Sequence, residues 1–215
     1  VSGIVERRHT LPILSNVLLE RKADRLTFLA TDIEIQVTTA LVDSGGGSDG
    51  ALTVGARKLQ DILRLLPENA EVSLALEEHK LVVKSGKIRY SLQTLPADDF
   101  PRMSLAEGES QELNLTQGQF KHLLARTQFS MAAQDVRYYL NGLLLLLEDK
   151  QLRAVATDGH RLAYASLEVQ EEFPRQEVIL PRKTVLELNR LLLDNDEPLK
   201  ISFTANQVRF VFGSV

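Results

Sequence analysis

The 215-residue sequence contains no cysteine, only four histidines, no excess of basic residues and no long apolar run. Without cysteine, neither disulfide bonds nor thiolate metal sites can form, which fits a reducing compartment. The histidines share no spacing typical of metal ligands, so we expect no metal and no other cofactor. The leucine run at 143–147 is far too short to span a membrane and predicts a buried strand. We recognise no signal-peptide pattern and expect no contact with membranes.

The formal net charge is −4, from 25 basic and 29 acidic residues. This balance weighs against a nucleic-acid-binding protein, which usually has a basic surface. It does not decide the matter, because an acidic protein can still carry one basic face. The hydrophobic content of 44% and the length suit one large domain or two ordinary ones.

An internal repeat organises the sequence. Leu-Ala-Thr-Asp at 29–32 reappears as Val-Ala-Thr-Asp at 155–158, a shift of 126 positions (157 − 31). Three more pairs follow in the same order: 14–19 with 140–145, Arg57-Lys58 with Arg182-Lys183, and 72–74 with 201–203. We infer two copies of one domain. The polar linker at 102–110 places the boundary so that the domains are 1–104 and 105–215.

Hydrophobic periodicity predicts mixed α and β elements in both copies. Helices are expected at 57–66, with an apolar stripe of Leu59, Ile62, Leu63 and Leu66, and after a capping box of Thr116 and Gln119. The second of these helices should expose Lys121, His122 and Arg126. The predicted strands are 11–19, 25–29, 33–41, 71–76, 80–84, 88–92, 112–115, 199–202 and 207–212.

The two copies are not equally complete. No helix like the one after Thr116 precedes the first copy, and nothing after the second copy corresponds to 88–101. We therefore expect a chain cut inside a repeat at both ends, with exposed core and sheet edges.

The segment Thr157-Asp158-Gly159-His160 has two interpretations. Asp158 and His160 could perform acid–base chemistry, as in an enzyme of nucleotide or DNA metabolism. However, no nucleophile stands in a recognised arrangement, and Asp32 in the first copy has no histidine nearby. We favour a structural turn in which Asp158 accepts hydrogen bonds from backbone N–H groups.

The segment 134–140 combines polar and aromatic residues. Read as a strand, it places the adjacent Tyr138 and Tyr139 on opposite faces, one buried and one exposed. An exposed tyrosine beside Gln134 and Arg137 could stack on bases or contact phosphates. The alternative is a tyrosine packed within a sheet.

The predicted helices, including a third that begins at Arg182-Lys183, share cationic positions. Such residues are usually solvated, but their recurrence on repeated helices favours a common cationic surface. The residues are Lys58, Arg64, Lys121, Arg126, Arg182, Lys183 and Arg190.

Four segments together resemble the bacterial DNA polymerase III beta subunit, the sliding clamp of replication. They are 8–14 (Arg-His-Thr-Leu-Pro-Ile-Leu), 94–101, 128–142 and 156–163 (Ala-Thr-Asp-Gly-His-Arg-Leu-Ala). The resemblance implies an α+β DNA-clamp fold of repeated domains, with helices on the inner, DNA-facing side and antiparallel sheets outside. It implies that the sequence covers most of the first and second of three domains, with the third absent. It also implies a cytoplasmic bacterial protein.

The resemblance also implies a non-catalytic ring of two chains that encircles duplex DNA without reading sequence. The residues it implies for DNA contact are Arg8, Gln134, Arg137, Tyr138, Tyr139, Lys58, Lys121 and Arg126. Arg8 and Gln134 are 126 positions apart (134 − 8), so they are equivalent in the two copies.

In this family the replicative polymerase, the clamp loader and repair proteins insert short peptides with Gln and Leu or Phe anchors. The residues implied for that pocket are Leu140, Thr157, Gly159, His160, Arg161 and Leu162. Tyr90 and Leu92 are implied at the edge where two chains meet in the homodimer, and we expect this chain alone not to form that dimer. A repeat-built scaffold that never meets DNA is a further alternative.

Overall fold

The computed structural model describes residues 3–5, 11–42, 45–104, 110–204 and 207–215. The chain forms two compact units, Val1–Ser104 with Ser214–Val215, and Leu105–Gly213. Within the described ranges no helix is long and apolar enough to cross a membrane. The same ranges hold no group of three metal-ligating side chains. Arg8 lies outside the described residues.

The first unit is one antiparallel sheet with a helix packed on it. A 3-10 turn at Pro12–Ser15 leads into the sheet, whose strand order is β3-β2-β1-β4-β7-β6-β5. Leu59 and Ile62 of the helix join Val17, Leu19 and Val54 in the buried core. The elements are β1 Asn16–Lys22, β2 Arg25–Thr31, β3 Gln36–Val42, β4 Gly50–Gly55, α1 Ala56–Arg64, β5 Ser73–Glu77, β6 Lys80–Ser85 and β7 Ile88–Leu95.

The second unit has two packed helices and two sheets. The long strands β9 and β10 form one sheet, and β12-β11-β8 form the other. The predicted capping box is present, because Gln119 N–H donates to Thr116 Oγ1 and Thr116 N–H donates to Gln119 Oε1. The elements are β8 Gln111–Thr116, α2 Gln117–Ala125, β9 Gly142–Thr157, β10 Leu162–Pro181, α3 Arg182–Leu191, β11 Pro198–Phe203 and β12 Val208–Phe212.

Strand register confirms the repeat. Asn16 pairs with Gly55 in the first unit, and the positions 126 later, Gly142 and Pro181, pair in the second. Thr31 with Gln36 and Thr157 with Leu162 repeat the same relation. Ala23 and Asp149, also 126 apart (149 − 23), both have positive φ, 55° and 53°. The α+β fold with two repeated domains is therefore confirmed.

Two of the four sequence matches were aligned wrongly. Helices α1 and α3 begin at Ala56 and Arg182, so the shift stays at 126 (182 − 56) and Arg57 corresponds to Lys183. In the hairpins that follow α1 and α3, the first strands end at Glu77 and Phe203, which are also 126 positions apart (203 − 77). The matched triplets 72–74 and 201–203 are therefore out of register.

Three predicted elements differ from the structure. Proline at the start of 11–19 favours a 3-10 turn, so the strand begins only at Asn16. Leu63 is exposed because it faces an open apolar groove of about 400 Å³ beside α1 instead of the core. Ile33 and Ile35 do not belong to a strand, because side chains at 31–32 bond their backbone into a turn.

Ile33 is held in an unfavourable backbone conformation. Its φ is 82°, in the left-handed region, where a β-branched residue is strained. The equivalent residue of the second unit is Gly159, with a φ of 86° and no such strain.

We expect Ile33→Gly to be more stable than Ile33→Ala by about 1 kcal/mol, because alanine carries the left-handed penalty and glycine does not. Thermal unfolding followed by circular dichroism measures this difference, which corresponds to roughly 2–4 °C in Tm. The same pair of substitutions at the exposed neighbour Glu34 serves as control and should give the ordinary order, alanine above glycine. If the alanine variant were the more stable of the two at both positions, the strain assigned to Ile33 would be contradicted.

Candidate functional site

The turn between β9 and β10 is built by two side chains. Thr157 Oγ1 donates to the Arg161 carbonyl (2.7 Å) and accepts from Gly159 N–H (3.1 Å). Asp158 Oδ1 accepts from the N–H groups of His160 and Arg161, both at 3.0 Å. The prediction that Asp158 caps backbone N–H groups is confirmed. These backbone hydrogen bonds, followed by the Arg161 side chain, lower the pKa of the Asp158 carboxyl.

The first unit contains the same turn. Thr31 Oγ1 donates to the Ile35 carbonyl (2.8 Å), and Asp32 Oδ1 accepts from Glu34 N–H (3.2 Å) and Ile35 N–H (2.8 Å). The position of His160 is taken here by Glu34. The turn therefore forms without a histidine, and His160 is available for a different role.

Arg161 is fixed by two neighbours. Its Nε donates to Asp158 Oδ2 (3.0 Å) and its Nη2 to the Phe129 carbonyl (2.7 Å). Its Cζ also lies 5.8 Å from the centre of the Phe129 ring, which is within cation–π range. Sequence analysis did not single out Phe129. Its contacts with Arg161 identify it, together with a ring that is 57% exposed.

The expectation of a strand at Tyr138 and Tyr139 is wrong. Residues Tyr138–Leu140 form a 3-10 helix, in which Leu140 N–H donates to the Arg137 carbonyl (2.9 Å). Both tyrosines are exposed, by 82% and 50%, and their rings meet edge to face at 5.9 Å. The loop therefore presents two aromatic side chains to solvent instead of one.

Asp135 holds this loop together. Its N–H donates to Asn141 Oδ1 and its carbonyl accepts from Asn141 Nδ2, both at 2.8 Å. Its carboxylate takes Arg137 Nε (3.0 Å) and Nη2 (2.9 Å) as a bidentate pair.

The paired Arg137 lowers the pKa of Asp135 to about 2. An unfolded aspartate titrates near pH ~3.9, so this pairing stabilises the loop fully above that pH. The contribution falls as the pH drops towards 2, and at neutral pH the pair is intact.

Arg137 joins the loop to the turn. A Cβ added to Gly159 would lie 2.9 Å from Arg137 Nη2, so the guanidinium lies directly against the turn. His160 is near enough to contribute to the lowered pKa of Asp135. Of the two leucines expected in the pocket, Leu140 is buried (8% exposed) and Leu162 at the start of β10 is exposed. Leu162, directly after Arg161 in the sequence, thus exposes an apolar side chain, whereas the N–H groups of Gly159, His160 and Arg161 are already used within the turn.

The helix cations differ in how the structure holds them. Lys58 and Arg126 are exposed, as expected. The expectation that α2 exposes Lys121 is wrong. Its Nζ donates to the Leu192 carbonyl at the end of α3 (2.8 Å), where an ammonium satisfies a terminal helix carbonyl. Arg190 pairs with Glu187, with Nη2 and Oε2 2.6 Å apart.

Strand β7 carries Tyr90 and Leu92 on a partly open edge. Tyr90 pairs with Val83 and is partly exposed, whereas Leu92 pairs with Leu81 and is buried in the core. On the side of β7 that faces away from β6, β4 pairs with Thr94 and Leu95 only, within the described ranges. The backbone of 88–93 therefore offers an unpaired edge in that part of the chain.

Comparison with known proteins gives matches along nearly the whole chain. Residues 1–104 match the family described as DNA polymerase III beta subunit, N-terminal domain. Residues 114–215 match the central domain of the same subunit. The Beta sliding clamp of Pseudomonas aeruginosa is 45% identical over 214 residues, which cover 99% of this chain and 58% of that protein. The one from Escherichia coli K12 is 46% identical over 219 residues, 100% of this chain and 60% of that protein.

Solved structures agree. The crystal structure of the DNA polymerase III subunit beta from P. aeruginosa has a TM-score of 0.94 at 44% identity, covering 99% of this chain and 58% of that one. The P. aeruginosa sliding clamp bound to griselimycin gives 0.93 at 45%, covering 100% and 58%. Caulobacter crescentus pol III beta gives 0.90 at 38%, covering 100% and 59%.

The chain thus spans about three fifths of the length of these relatives, 58–60%. Both repeated units match successive domains of one subunit, in the order in which they occur along the sequence. The chain belongs to the DNA polymerase III beta subunit family.

Proposed function

We propose that this chain forms the first two domains, 1–104 and 105–215, of a DNA sliding clamp that confers processivity on a replicative polymerase. A third domain of the whole protein and a second chain would complete the ring. The observation that carries the proposal is the joined surface of the second unit. There Arg137 connects the exposed tyrosine loop to the Thr-Asp turn. One side of this surface suits DNA and the other suits a partner peptide.

The tyrosine loop suits contact with duplex DNA. Tyr138 and Tyr139 expose hydroxyl groups and aromatic faces, which can donate to phosphates or stack on bases. Gln134 is the amide donor of the same loop, and Arg8 is its sequence equivalent in the first copy. The exposed Lys58 and Arg126 add long-range attraction that reads no sequence. Weak binding of this kind permits sliding, while the closed ring prevents dissociation.

The Thr-Asp turn suits a short peptide from the polymerase, the clamp loader or repair proteins. Leu140 and Leu162 supply apolar contact, and Arg161 and His160 supply polar contacts beside it. Pockets of this type combine an apolar floor with a few fixed polar groups. The unpaired backbone of β7 near Tyr90 and Leu92 suits strand-to-strand pairing with the partner chain of a homodimer.

We infer no catalytic role, because the Asp158 carboxylate is already engaged by two backbone groups and by Arg161. A general base would need that carboxylate within reach of a substrate. The double variant Asp158→Asn with His160→Ala should abolish the binding of partner peptides. An activity screen should find no catalytic turnover that this variant loses. We place the protein in the bacterial cytoplasm, where a replication factor works.

Removing two exposed cations should weaken DNA binding in a salt-dependent way. For Lys58→Ala with Arg126→Ala, we expect the slope of log affinity against log salt to fall by roughly two, because each phosphate contact releases counterions. Fluorescence anisotropy of a labelled duplex, titrated over a series of salt concentrations, measures the slope.

Lys84→Ala with Arg89→Ala is the matched control, since both cations lie on the first-unit sheet and pair with Glu77. It should leave the slope unchanged. Gln134→Ala with Tyr138→Ala removes no charge and should weaken binding equally at all salt concentrations. If the control lowered the slope as much as the helix pair, attraction by the helix cations would be refuted.

The isolated chain should bind a pocket ligand more weakly than a complete clamp. Griselimycin, the ligand in one of the similar crystal structures, is a practical probe. We expect an affinity at least about tenfold lower than that of the P. aeruginosa clamp. A tenfold loss corresponds to ~1.4 kcal/mol of binding free energy, which is less than the contacts of a whole pocket wall from a third domain would contribute. Isothermal titration calorimetry of both proteins gives the ratio. Equal affinities would show that the second unit alone forms the site.

A further inference from the structure

We propose that Phe129 is a positioning residue of the partner site, which holds the Arg161 guanidinium ready to receive an acceptor group of the bound peptide. The inference rests on the proposed function and deepens it. It names an aromatic residue that lies outside the Thr-Asp turn and outside the set expected from the sequence. The chemical group it serves is a carbonyl or carboxylate of an otherwise apolar peptide.

Contacts and not burial hold Arg161 in place. Its side chain is 59% exposed, yet its Nε and Nη2 are fixed by Asp158 and by the Phe129 carbonyl, 3.0 and 2.7 Å away. The Phe129 ring adds a cation–π contact. A guanidinium has five N–H groups, and these two bonds use two of them. Donors therefore remain for a ligand.

The repeat shows that this contact is not needed to build the turn. In the first unit the positions 126 earlier are Ile35 for Arg161 and Gly3 for Phe129. Neither a guanidinium nor a ring is present there, yet the turn of Thr31 and Asp32 has the same hydrogen bonds. The Arg161–Phe129 pair is therefore an addition to the shared fold, specific to the second unit.

The ring is not part of the core either. Phe129 is exposed, while its neighbours Ser130 and Met131 are buried. Singly exposed apolar residues are common on protein surfaces, so what distinguishes Phe129 is the contact of its ring with the Arg161 guanidinium. Its ring therefore places exposed apolar surface beside the guanidinium. A peptide carrying an apolar side chain next to a carbonyl or carboxylate would match this arrangement.

Fixing Arg161 in advance affects binding through entropy. A free arginine side chain has many rotamers, and a ligand that binds it must restrict them. The Phe129 ring restricts them before the ligand arrives. Exposed cation–π contacts are weak, so the effect of removing the ring on affinity is modest, about two- to fivefold.

The test compares Phe129→Leu with Phe129→Tyr in the whole chain. Leucine keeps the backbone carbonyl and the apolar bulk but removes the ring, whereas tyrosine keeps the ring. Griselimycin is titrated by NMR, with the Arg161 Nε–Hε resonance observed throughout. We expect Phe129→Leu to lower affinity about two- to fivefold and to shift that resonance in the free protein, since the ring no longer lies over the guanidinium. Phe129→Tyr should restore both properties.

Tyr164→Leu is the matched control, because it removes another exposed aromatic residue of the same unit. It should change neither property. If the wild-type chain binds but Phe129→Leu changes neither affinity nor the resonance, the inference is overturned and the proposed function stands. If the wild-type chain does not bind at millimolar ligand, the proposed peptide site fails, while the resonance still shows whether the ring holds Arg161.

Discussion

The candidate site depends on one interaction used twice, an aspartate that binds both the backbone ahead of it and a following arginine. Asp158 accepts two N–H groups and pairs with Arg161, and Asp135 accepts the Arg137 N–H and pairs with its guanidinium. Each carboxylate is ionised at neutral pH, since these bonds lower its pKa. Two arginines are thereby placed on exposed loops that would otherwise leave them free to rotate.

The duplication separates what the fold needs from what the site adds. Both units contain the same strand register and the same Thr-Asp turn. They differ at the third position of the turn, where the backbone is left-handed: Gly159 allows Arg137 to approach, while Ile33 is strained. They differ again where His160 and Arg161 replace Glu34 and Ile35. The second unit therefore carries polar side chains on a turn that the first unit forms without them.

Much of the fold could be predicted from sequence, because the repeat and the hydrophobic periodicity can both be recognised without knowing any tertiary contact. The role of Asp158 followed from turn chemistry, and the capping box at Thr116 followed from spacing. The failures have tertiary causes. We predicted a strand with Tyr138 and Tyr139 on opposite faces. The hydrogen bonds between Asp135 and Asn141 instead close the segment into a loop that contains a 3-10 helix.

Other residues could not be placed for similar reasons. Lys121 was expected to be exposed because it lies outside the apolar stripe of α2, but its long side chain reaches the end of α3. Phe129 has no local pattern that marks it, since its role comes from a residue 32 positions away. Helix and strand periodicity describe the path of the backbone. They do not show which side chains from distant segments meet.

The central claim is that the Thr-Asp turn of the second unit, and not its copy in the first, is a binding surface. Mapping griselimycin onto the chain by backbone amide chemical shifts tests this most directly, because the equivalent turn serves as an internal control. The account predicts shifts at 157–162 and around Phe129, with none at 31–35. Equal shifts at both turns, or shifts confined to the apolar groove beside α1, would contradict it.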